Sequence, residues 1–406
     1  MEKLAAARLP APFYLSGEIM HLSRLAMSVG QSATLKLNEL ANSLRAEGKP
    51  VIHLGGGEPE EKIPQGAYDA ATKKLATRYI RYTATGGIPE LKKEIAAYTE
   101  KNHGLKPAAK NIAVSGGAKQ AIYNFLLAVA DPGSEVVFPA PYWVSYPEMV
   151  KLAYGTPVIV RPRPGELLPD IQDMDMHITT NTRAVMLNSP NNPSGIIYPE
   201  AFVRELVEIC EYRGVYLMMD DIYNRLVFDG VSVPNAFSLT GRPLDDSIIV
   251  SINGVSKTYS MTGFRIGWSV ASEAVTRAMV KIQAQITSCP SALSQAAAAG
   301  ALAGQGTFVE DLRASLEKKR DLLMGELKKI KKVKLYIPQG TFYSFPDLSA
   351  YEPDSDKLSK LLLDKAMVVT VPGKEFGLDG HLRISYCGPE KDIIEGVARI
   401  KKVLDG

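Results

Sequence analysis

Short apolar runs alternate with longer amphipathic segments between about residues 110 and 290 of this 406-residue chain. The runs have the length and composition of buried strands, and the segments between them carry apolar residues at helical spacing. The predicted strands are Ile112–Val114, Glu135–Pro139, Pro157–Arg161, Ala184–Asn188, Tyr216–Asp220, Ile248–Ile252 and Arg265–Val270, and the predicted helices include Lys119–Ala130, Pro199–Arg213 and Glu273–Ser288. This alternation predicts a large doubly wound α/β domain with a mostly parallel sheet.

The pattern changes after Ser291, where an alanine-rich helix and a long charged helical segment precede short strands and two more helices. The first sixty residues contain a predicted helix at about residues 33–47, the strand Val51–Leu54 and a glycine-rich turn. A chain of this length exceeds the usual size of one hydrophobic core. We predict an N-terminal segment (residues 1–60) that joins a smaller α+β domain (293–406), and a large domain between them (61–292).

Composition excludes several classes of protein. Hydrophobic residues make up 46% of the chain and charged residues 22%, which are ordinary globular values and exclude a disordered or fibrous protein. The net charge is +3 and the basic residues form no block interleaved with aromatic residues, so nucleic acid is not an expected partner. No signal-peptide core or membrane-spanning run is visible, so we expect a cytoplasmic protein without membrane association.

The cysteines and histidines indicate neither a disulfide framework nor a metal centre. Cys210, Cys289 and Cys387 are widely spaced, and we expect them to be reduced packing residues. The five histidines show no ligand spacing, so no metal is expected. The chemistry of the chain is therefore sought in its other polar residues.

The segment Val255–Trp268 places Lys257 among hydroxyl residues and glycines, with Arg265 eight positions later. A lysine amine in such a setting can form an imine with an aldehyde. Taken alone, the Ser-Lys-Thr sequence is also a common solvated turn. Other groups that serve the same chemistry must therefore decide between the two interpretations.

A carboxylate and a tyrosine follow the strongly apolar run Val215–Met219. Asp220 ends this run and Tyr223 lies three residues later. A carboxylate at the carboxyl end of a buried parallel strand points into the crevice where α/β sheets bind ligands. There it can hold a proton on the ring nitrogen of a bound ligand. The competing interpretation is that Asp220 is an acidic residue that caps a helix.

The segment Ser115–Lys119 places two glycines between a predicted strand and the helix that follows it. The backbone N–H groups of Gly117, Ala118 and Lys119 would then face an anion at the start of the helix, where a phosphate fits. Arg265 can add a forked charge to the same phosphate. A glycine pair at such a junction is common, so this signal is weak by itself.

Three further segments offer a ring, an amide and a guanidinium. Trp143 follows the end of a predicted strand, where its indole can stack on a bound ring, although core packing also explains it. The segment Asn188–Gly195 fixes asparagine side chains in a turn rich in proline. In His381–Tyr386, which alternates like a half-buried strand, Arg383 is either a solvated charge on an edge strand or a guanidinium that needs a partner.

Together these segments resemble the class I aminotransferases, enzymes of fold type I that use pyridoxal 5'-phosphate (PLP), and the likeness to bacterial aspartate aminotransferases covers about residues 30–400. The resemblance implies a Schiff base between PLP and Lys257, with Asp220 beneath the pyridine nitrogen. It also implies that PLP is contacted by Gly117, Ala118, Lys119, Trp143, Asn192, Tyr223, Ser256 and Arg265. Lys257, Asp220 and Tyr223 are the implied catalytic residues.

The resemblance further assigns substrate contacts and a partner. Arg383 would bind the substrate α-carboxylate, and Gly57, Trp143 and Asn192 would also contact the substrate. Thr34, in the segment Gln31–Thr34, and Lys119 would lie near a second carboxylate. Tyr82, in the segment Arg81–Leu91, would reach the phosphate of a neighbouring subunit, which implies a homodimer with shared active sites.

Two positions depart from the family pattern. The segment Glu60–Pro64 replaces the usual Asp-Phe-Asp-Thr-Pro, and Gly254 stands where some members have a phosphate-binding serine. We predict an enzyme that moves an amino group between an L-amino acid, expected to be aspartate or glutamate, and a 2-oxo acid. The alternatives are a PLP-dependent lyase or decarboxylase of the same fold and a non-catalytic PLP-binding regulatory protein.

Overall fold

A computed structural model gives the fold and describes residues 22–30, 33–304 and 306–406. In these ranges the strands are β1 (Ile52–His53), β2 (Ile112–Ser115), β3 (Glu135–Pro139), β4 (Thr156–Val160), β5 (Thr182–Asn188), β6 (Tyr216–Asp220), β7 (Ile249–Gly254), β8 (Gly267–Val270), β9 (Tyr343–Ser344), β10 (Val368–Val369), β11 (Val371–Pro372) and β12 (Leu382–Ser385). The helices are α1 (Arg24–Ser28), α2 (Ala33–Ala46), α3 (Gln65–Ala76), α4 (Pro89–His103), α5 (Ala118–Val129), α6 (Tyr146–Leu152), α7 (Ile171–Met176), α8 (Glu200–Arg213), α9 (Ala236–Thr240), α10 (Glu273–Ile286), α11 (Ala292–Ala303), α12 (Phe308–Leu327), α13 (Ser355–Ala366) and α14 (Glu390–Asp405).

The strands β2 to β8 form one seven-stranded sheet in the order β2-β8-β7-β6-β5-β3-β4. Strands β3 to β7 are parallel to their neighbours in this set, whereas β8 runs antiparallel to both β7 and β2. The predicted α/β fold with a mostly parallel sheet is confirmed. The predicted start of β8 was wrong, because Arg265 has a left-handed backbone (φ +54°) and the strand begins at Gly267.

Strand β6 shows why the sheet strands have continuous apolar sequences. Met218 packs in the same core as Phe125 of α5, on one face of the sheet. Leu217 and Met219 point the other way and share a core with Leu206 of α8. Helices therefore cover both faces of the sheet, and the carboxyl ends of its strands remain available to build a site.

A second group of elements joins the two ends of the chain. Strand β1 pairs in parallel with β10, and a core that contains Leu54 of the N-terminal part also contains Leu316 of α12 and Leu362 of α13. Strands β11, β12 and β9 form an antiparallel sheet with β12 in the middle. The edge-strand interpretation of Arg383 was therefore wrong, and all four residues of β12 are buried.

The domain boundaries at residues 60 and 292 remain a prediction. Helix α11 would open the smaller domain in that division, yet Ala297 and Ala301 of α11 share a core with Val114 of β2 and Trp268 of β8. We therefore propose that α11 belongs to the large domain and that the small domain begins after it.

Helices α11 and α3 are in contact through two glycines, Gly300 and Gly66. A Cβ atom on Gly300 would lie 2.2 Å from the carbonyl oxygen of Gly66, and a Cβ atom on Gly66 would lie 2.5 Å from the carbonyl oxygen of Gly300. These contacts are between backbones, so no side chain can move to make room. The close approach of the two helices depends on both glycines.

We expect Gly300→Ala to destabilise the protein by about 1–3 kcal/mol, because the added methyl group forces α11 and α3 apart. Gly325→Ala is the matched control, since Gly325 lies in α12 with nothing within 4 Å of an added Cβ. Alanine is the better helix former, so the control should be neutral or stabilising. The midpoint of thermal unfolding measures both changes, and equal midpoints would contradict the packing argument.

Candidate active site

A cavity of about 540 Å³ opens where β5 and β6 end. Eleven of the predicted site residues line it, namely Gly57, Ala118, Lys119, Trp143, Asn192, Asp220, Tyr223, Ser256, Lys257, Arg265 and Arg383. Glu58, Ile122, Val144, Ser145, Asn188, Ile222, Thr262, Gly263 and Tyr343 also line it. The cavity therefore joins the carboxyl edge of the large sheet to residues from both ends of the chain.

Asp220 ends β6 and is 4% exposed. The Tyr146 hydroxyl donates a hydrogen bond of 2.7 Å to Asp220 Oδ2, and the backbone N–H of Ile222 donates one of 3.4 Å to Oδ1. Burial raises the pKa of Asp220 to about 6, although both hydrogen bonds act in the opposite direction. A carboxylate in so dry a place is stabilised by a cationic partner, such as a protonated ring nitrogen.

Lys257 lies beside the turn at Gly57 and is partly exposed to the cavity. Its Nζ donates a hydrogen bond of 2.7 Å to the Gly57 carbonyl oxygen. Burial lowers the pKa of Lys257 to about 8, while the negative charge of Glu58 acts to raise it. An amine with this pKa is partly unprotonated near neutral pH, as a nucleophile and a base must be.

Arg383 is 2% exposed. Its Nη1 donates to Asn192 Oδ1 (3.1 Å) and its Nη2 to the Gly55 carbonyl oxygen (3.0 Å), and the guanidinium carbon lies 4.3 Å from the ring centroid of Tyr343. Its Nε is buried and has no hydrogen-bond partner in the described part of the chain. A buried, oriented guanidinium with an unused donor is well suited to a carboxylate ligand.

The wall between α5 and β8 has the features of an anion site. Gly117 precedes α5 with φ +92°, and a Cβ atom there would lie 2.6 Å from Arg265 Nη2. The guanidinium therefore packs against the start of α5, where Ala118 and Lys119 supply N–H groups of the first helical turn. Gly117 lies behind Arg265 and is not itself in the cavity lining.

The backbone also explains the departure at Gly254. A Cβ atom there would lie 2.9 Å from the carbonyl oxygen of Ile266 and 3.1 Å from the Cα of Gly267. Strands β7 and β8 approach too closely for a side chain at this position. A serine would have to displace the backbone, so phosphate binding depends on other groups.

Trp143 and Lys119 stand together on the cavity wall. Lys119 Nζ lies 4.9 Å from the Trp143 ring centroid, and Trp143 meets Tyr146 edge to face at 5.7 Å. Burial, followed by the charge of Arg265, lowers the pKa of Lys119. Lys119 therefore lines the cavity with its amine close to the Trp143 ring.

Two asparagines hold the sheet edge in place. Asn188 Nδ2 donates to the Asp220 carbonyl oxygen (2.9 Å), and Asn188 Oδ1 accepts the Asn192 backbone N–H (2.7 Å). Asn192 then accepts the bond from Arg383 through its own side chain. The rigid segment Asn188–Gly195 therefore links the residue at the end of β6 to the buried guanidinium.

Sequence reasoning missed four residues of the site. Asn188 begins the segment Asn188–Gly195 and Tyr146 lies three residues after Trp143, but their roles depend on contacts with Asp220 that no local pattern shows. Glu58 lies in the Gly-Glu-Pro turn, and its carboxylate accepts a hydrogen bond from Thr262 (3.0 Å). Tyr343, which is hydrogen-bonded to Tyr223, had no signal in the sequence.

Three of the fourteen predicted site residues are not among the described residues that line the cavity, namely Gly117, Tyr82 and Thr34. Tyr82 is 92% exposed and lies outside the cavity lining. The backbone of Thr34 belongs to α2, but its side chain lies outside the described residues, as do Gln31 and Ser32. Their predicted roles remain predictions.

In residues 22–30, 33–304 and 306–406, no group of three His, Cys, Asp or Glu residues is placed to hold a metal ion. No helix in them has the length and apolar character needed to cross a membrane. Cys210 and Cys387 are buried, Cys289 is partly buried, and all three are free thiols.

A lysine of lowered pKa beside a buried carboxyl group defines a site for imine chemistry on a ring cofactor. The profile of the family "aminotransferase class I and II" matches residues 49–400, and the chain belongs to this family. An aspartate aminotransferase of Streptomyces avermitilis is 37% identical over 388 residues, which cover 93% of this chain and 95% of the relative. An aspartate/prephenate aminotransferase of Cereibacter sphaeroides is 38% identical over 402 residues, which cover 95% of this chain and 99% of the relative.

Solved structures show the same likeness. The aspartate aminotransferase of Rhizobium meliloti has a TM-score of 0.90 and 36% identity, over 95% of this chain and 99% of that chain. The structure of the Thermus thermophilus aspartate aminotransferase with maleate has a TM-score of 0.91 and 35% identity, and the match covers 95% of this chain and 100% of that chain. The protein is thus a PLP-dependent aminotransferase of fold type I, as predicted. The relatives favour this function over the lyase and regulatory alternatives.

The residues present fit this cofactor. The buried Asp220 carboxyl group suits the ring nitrogen of PLP. Gly117 at the start of α5, together with Arg265, suits its phosphate, and the Lys257 amine suits its aldehyde. Ser256 is buried beside Lys257 and lines the same cavity. The assignment of these roles to individual residues is a proposal that mutation can test.

We expect Asp220→Asn to lower kcat by about a hundredfold to several thousandfold, as for the loss of about 3–5 kcal/mol from a buried charge pair. Asparagine keeps the size of Asp220 and can accept the Tyr146 bond, but it has no charge to hold a proton on the ring nitrogen. PLP should remain bound through the other contacts. Single-turnover rates and cofactor absorbance measure the two effects.

Asp221→Asn is the matched control for this variant. Asp221 is also buried and accepts a hydrogen bond from Ser251, but it does not line the cavity. We expect its rate to stay near that of the unmodified enzyme. Equal losses in the two variants would show that Asp220 has no special role.

Proposed function

We propose that the enzyme transfers the amino group of aspartate or glutamate to 2-oxo acids, with both half-reactions in the one cavity. Of the four lysine and arginine side chains in the cavity lining, Lys257 and Arg265 are suited to the cofactor, and the observation that carries this proposal is the remaining two, buried Arg383 and Lys119. A dicarboxylic amino acid offers one carboxylate to each. Relatives named aspartate aminotransferase support the same choice.

Arg383 is the proposed binding group for the α-carboxylate. Its guanidinium is fixed by the bonds to Asn192 and Gly55, while Nε is left without a partner among the described residues. A carboxylate that accepts this donor would neutralise a buried charge and satisfy a buried N–H together. Every amino acid has this carboxylate, so Arg383 orients substrates without choosing among them.

Lys257 is the proposed acid and base. Its lowered pKa lets the amine accept the proton from the substrate Cα and return it later. PLP, when bound, supplies the ring that accepts the electron pair left on that carbon. Asp220 would hold the proton on the ring nitrogen, and Tyr223 would contact the ring oxygen from its buried place beside Tyr343.

Lys119 is the proposed contact for the second carboxylate. It lines the cavity and lies against the Trp143 ring, where the indole restricts the path of its side chain. Glu60, Glu61 and Lys62 of the family departure do not line the cavity. Glu61 instead lies 3.8 Å from Lys319 Nζ of α12, so we propose that this departure serves packing rather than substrate choice.

We expect Lys119→Ala to lower kcat/KM for aspartate by roughly tenfold to a hundredfold, as for a lost charged contact of about 1.5–3 kcal/mol. Turnover of alanine, which lacks the second carboxylate, should fall much less. Lys93→Ala removes an exposed lysine of α4 and is the control. The specificity proposal fails if alanine or an aromatic amino acid is the better substrate of the unmodified enzyme.

A homodimer with shared active sites is the second part of the proposal. Tyr82 is almost fully exposed, and Tyr68, Leu75, Tyr79 and Ile80 of α3 and the following segment also expose large parts of their side chains. An exposed apolar patch of this kind is typical of a protein interface. We propose that it packs against a second copy and that Tyr82 enters the partner's site. The cytoplasm remains the proposed location.

We expect a mixture of Tyr82→Ala and Lys257→Ala subunits to recover activity that neither variant has alone. In a hybrid dimer one site carries both changes and the other carries neither, so random mixing should restore about a quarter of the full activity. Activity after refolding the mixture is the measurement. A fully active monomer in sedimentation experiments would contradict the proposal.

A further inference from the structure

The segment Leu54–Pro59, here called the glycine turn, contacts both groups that handle the substrate. Its Gly55 carbonyl oxygen accepts a hydrogen bond from Arg383 Nη2 (3.0 Å). Its Gly57 carbonyl oxygen accepts one from Lys257 Nζ (2.7 Å). The course of this turn therefore affects the guanidinium and the amine together.

Three consecutive glycines have wide conformational freedom, so hydrogen bonds must set the course of the turn. At its start the Leu54 N–H donates to Val369 of β10 (2.9 Å), and the Leu54 carbonyl accepts from the Ser385 N–H of β12 (2.7 Å). At its end the Glu58 carbonyl oxygen accepts from the Cys387 thiol (3.0 Å). These bonds fix the ends of the turn, and the Leu54–Gly55 peptide, whose carbonyl accepts from Ser385, has an N–H on its other side that a further group can hold.

His53 supplies that group. Its Nδ1 accepts the Gly55 N–H at 3.0 Å. His53 is itself held in β1, where it is in register with Val369 of β10. The backbone of Gly55 is thus fixed between an imidazole on its N–H and the Arg383 guanidinium on its carbonyl oxygen.

We propose that His53 is a positioning residue for substrate carboxylate binding: by accepting the Gly55 N–H it holds in place the residue whose carbonyl oxygen orients Arg383. The Arg383 guanidinium is then held from two sides, by Gly55 on Nη2 and by Asn192 on Nη1. Without the Gly55 bond, the Arg383 guanidinium can rotate about its remaining bond to Asn192. This inference rests on the proposed role of Arg383.

The charge state of His53 agrees with this geometry. Burial, the nearby charge of Arg45 in α2 and that of Arg383 in β12 hold the pKa of His53 below its ordinary value of 6.5, despite an opposing backbone hydrogen bond. The imidazole is therefore neutral at pH 7, as an acceptor at Nδ1 must be. When the pH falls through this pKa, protonation removes the acceptor, so carboxylate binding is strongest above this pKa and weakens below it.

The test is the affinity of the PLP-loaded enzyme for maleate, a dicarboxylate that cannot be transaminated, measured by absorbance titration across pH. His53→Leu removes the acceptor and should weaken maleate binding by roughly three- to tenfold at pH 7.5. His53→Asn places Oδ1 where Nδ1 was and should restore the affinity. It should also lack the loss of affinity in acid that His53 confers, because asparagine does not titrate.

Two further variants separate the possible failures. His177→Asn changes an exposed histidine at the end of α7 and should behave as the unmodified enzyme. Arg383→Gln should weaken maleate binding more than His53→Leu does. If Arg383→Gln binds normally, the proposed carboxylate site is wrong, and if only His53→Leu binds normally, the positioning role alone is wrong. If His53→Leu does not fold, an unchanged acid profile in His53→Asn overturns the inference.

Discussion

The exclusion of water from Asp220 and Lys257 is the constraint on which the rest of the site depends. Burial raises the pKa of the carboxyl group to about 6 and lowers that of the amine to about 8, so each is closer to neutrality than in water. A charge on either group then needs a fixed partner. Tyr146 and the Gly57 carbonyl oxygen serve this purpose for the protein itself, and the cofactor and substrate are suited to replace or add to them.

The fold creates this dry edge through the packing of its sheet. Strands β5 and β6 are buried between helices on both faces, so the residues that end them, Asn188 and Asp220, are fixed by the core behind them. Strand β8 is antiparallel to both of its neighbours. Arg265, which lies just before β8, packs against the start of α5. The approach is so close that a Cβ on Gly267 would lie 2.2 Å from the Ala118 nitrogen. The anion site thus follows from one antiparallel strand and two glycines.

The sequence predicted those parts of the site that local pattern specifies. The apolar runs gave the strands, and a polar residue at the end of such a run, as at Asp220, is expected to face a crevice. Local pattern could not decide between the two interpretations of Arg383, because the burial of β12 depends on its pairing with β11 and, much earlier in the chain, with β9. Tyr146 was missed for a related reason, since its partner is 74 residues away.

The glycine turn contacts both Arg383 and Lys257. Its first residue, Leu54, is hydrogen-bonded to β10 and β12, and its carbonyl oxygens accept hydrogen bonds from Arg383 of β12 and from Lys257, which follows β7. A side chain at Gly57 would meet the Tyr343 hydroxyl at 3.2 Å, so bulk as well as flexibility restricts this position to small residues. A carboxylate bound at Arg383 therefore acts on the same short backbone segment that holds the amine. A change in the course of this turn is therefore expected to move Arg383 and Lys257 together.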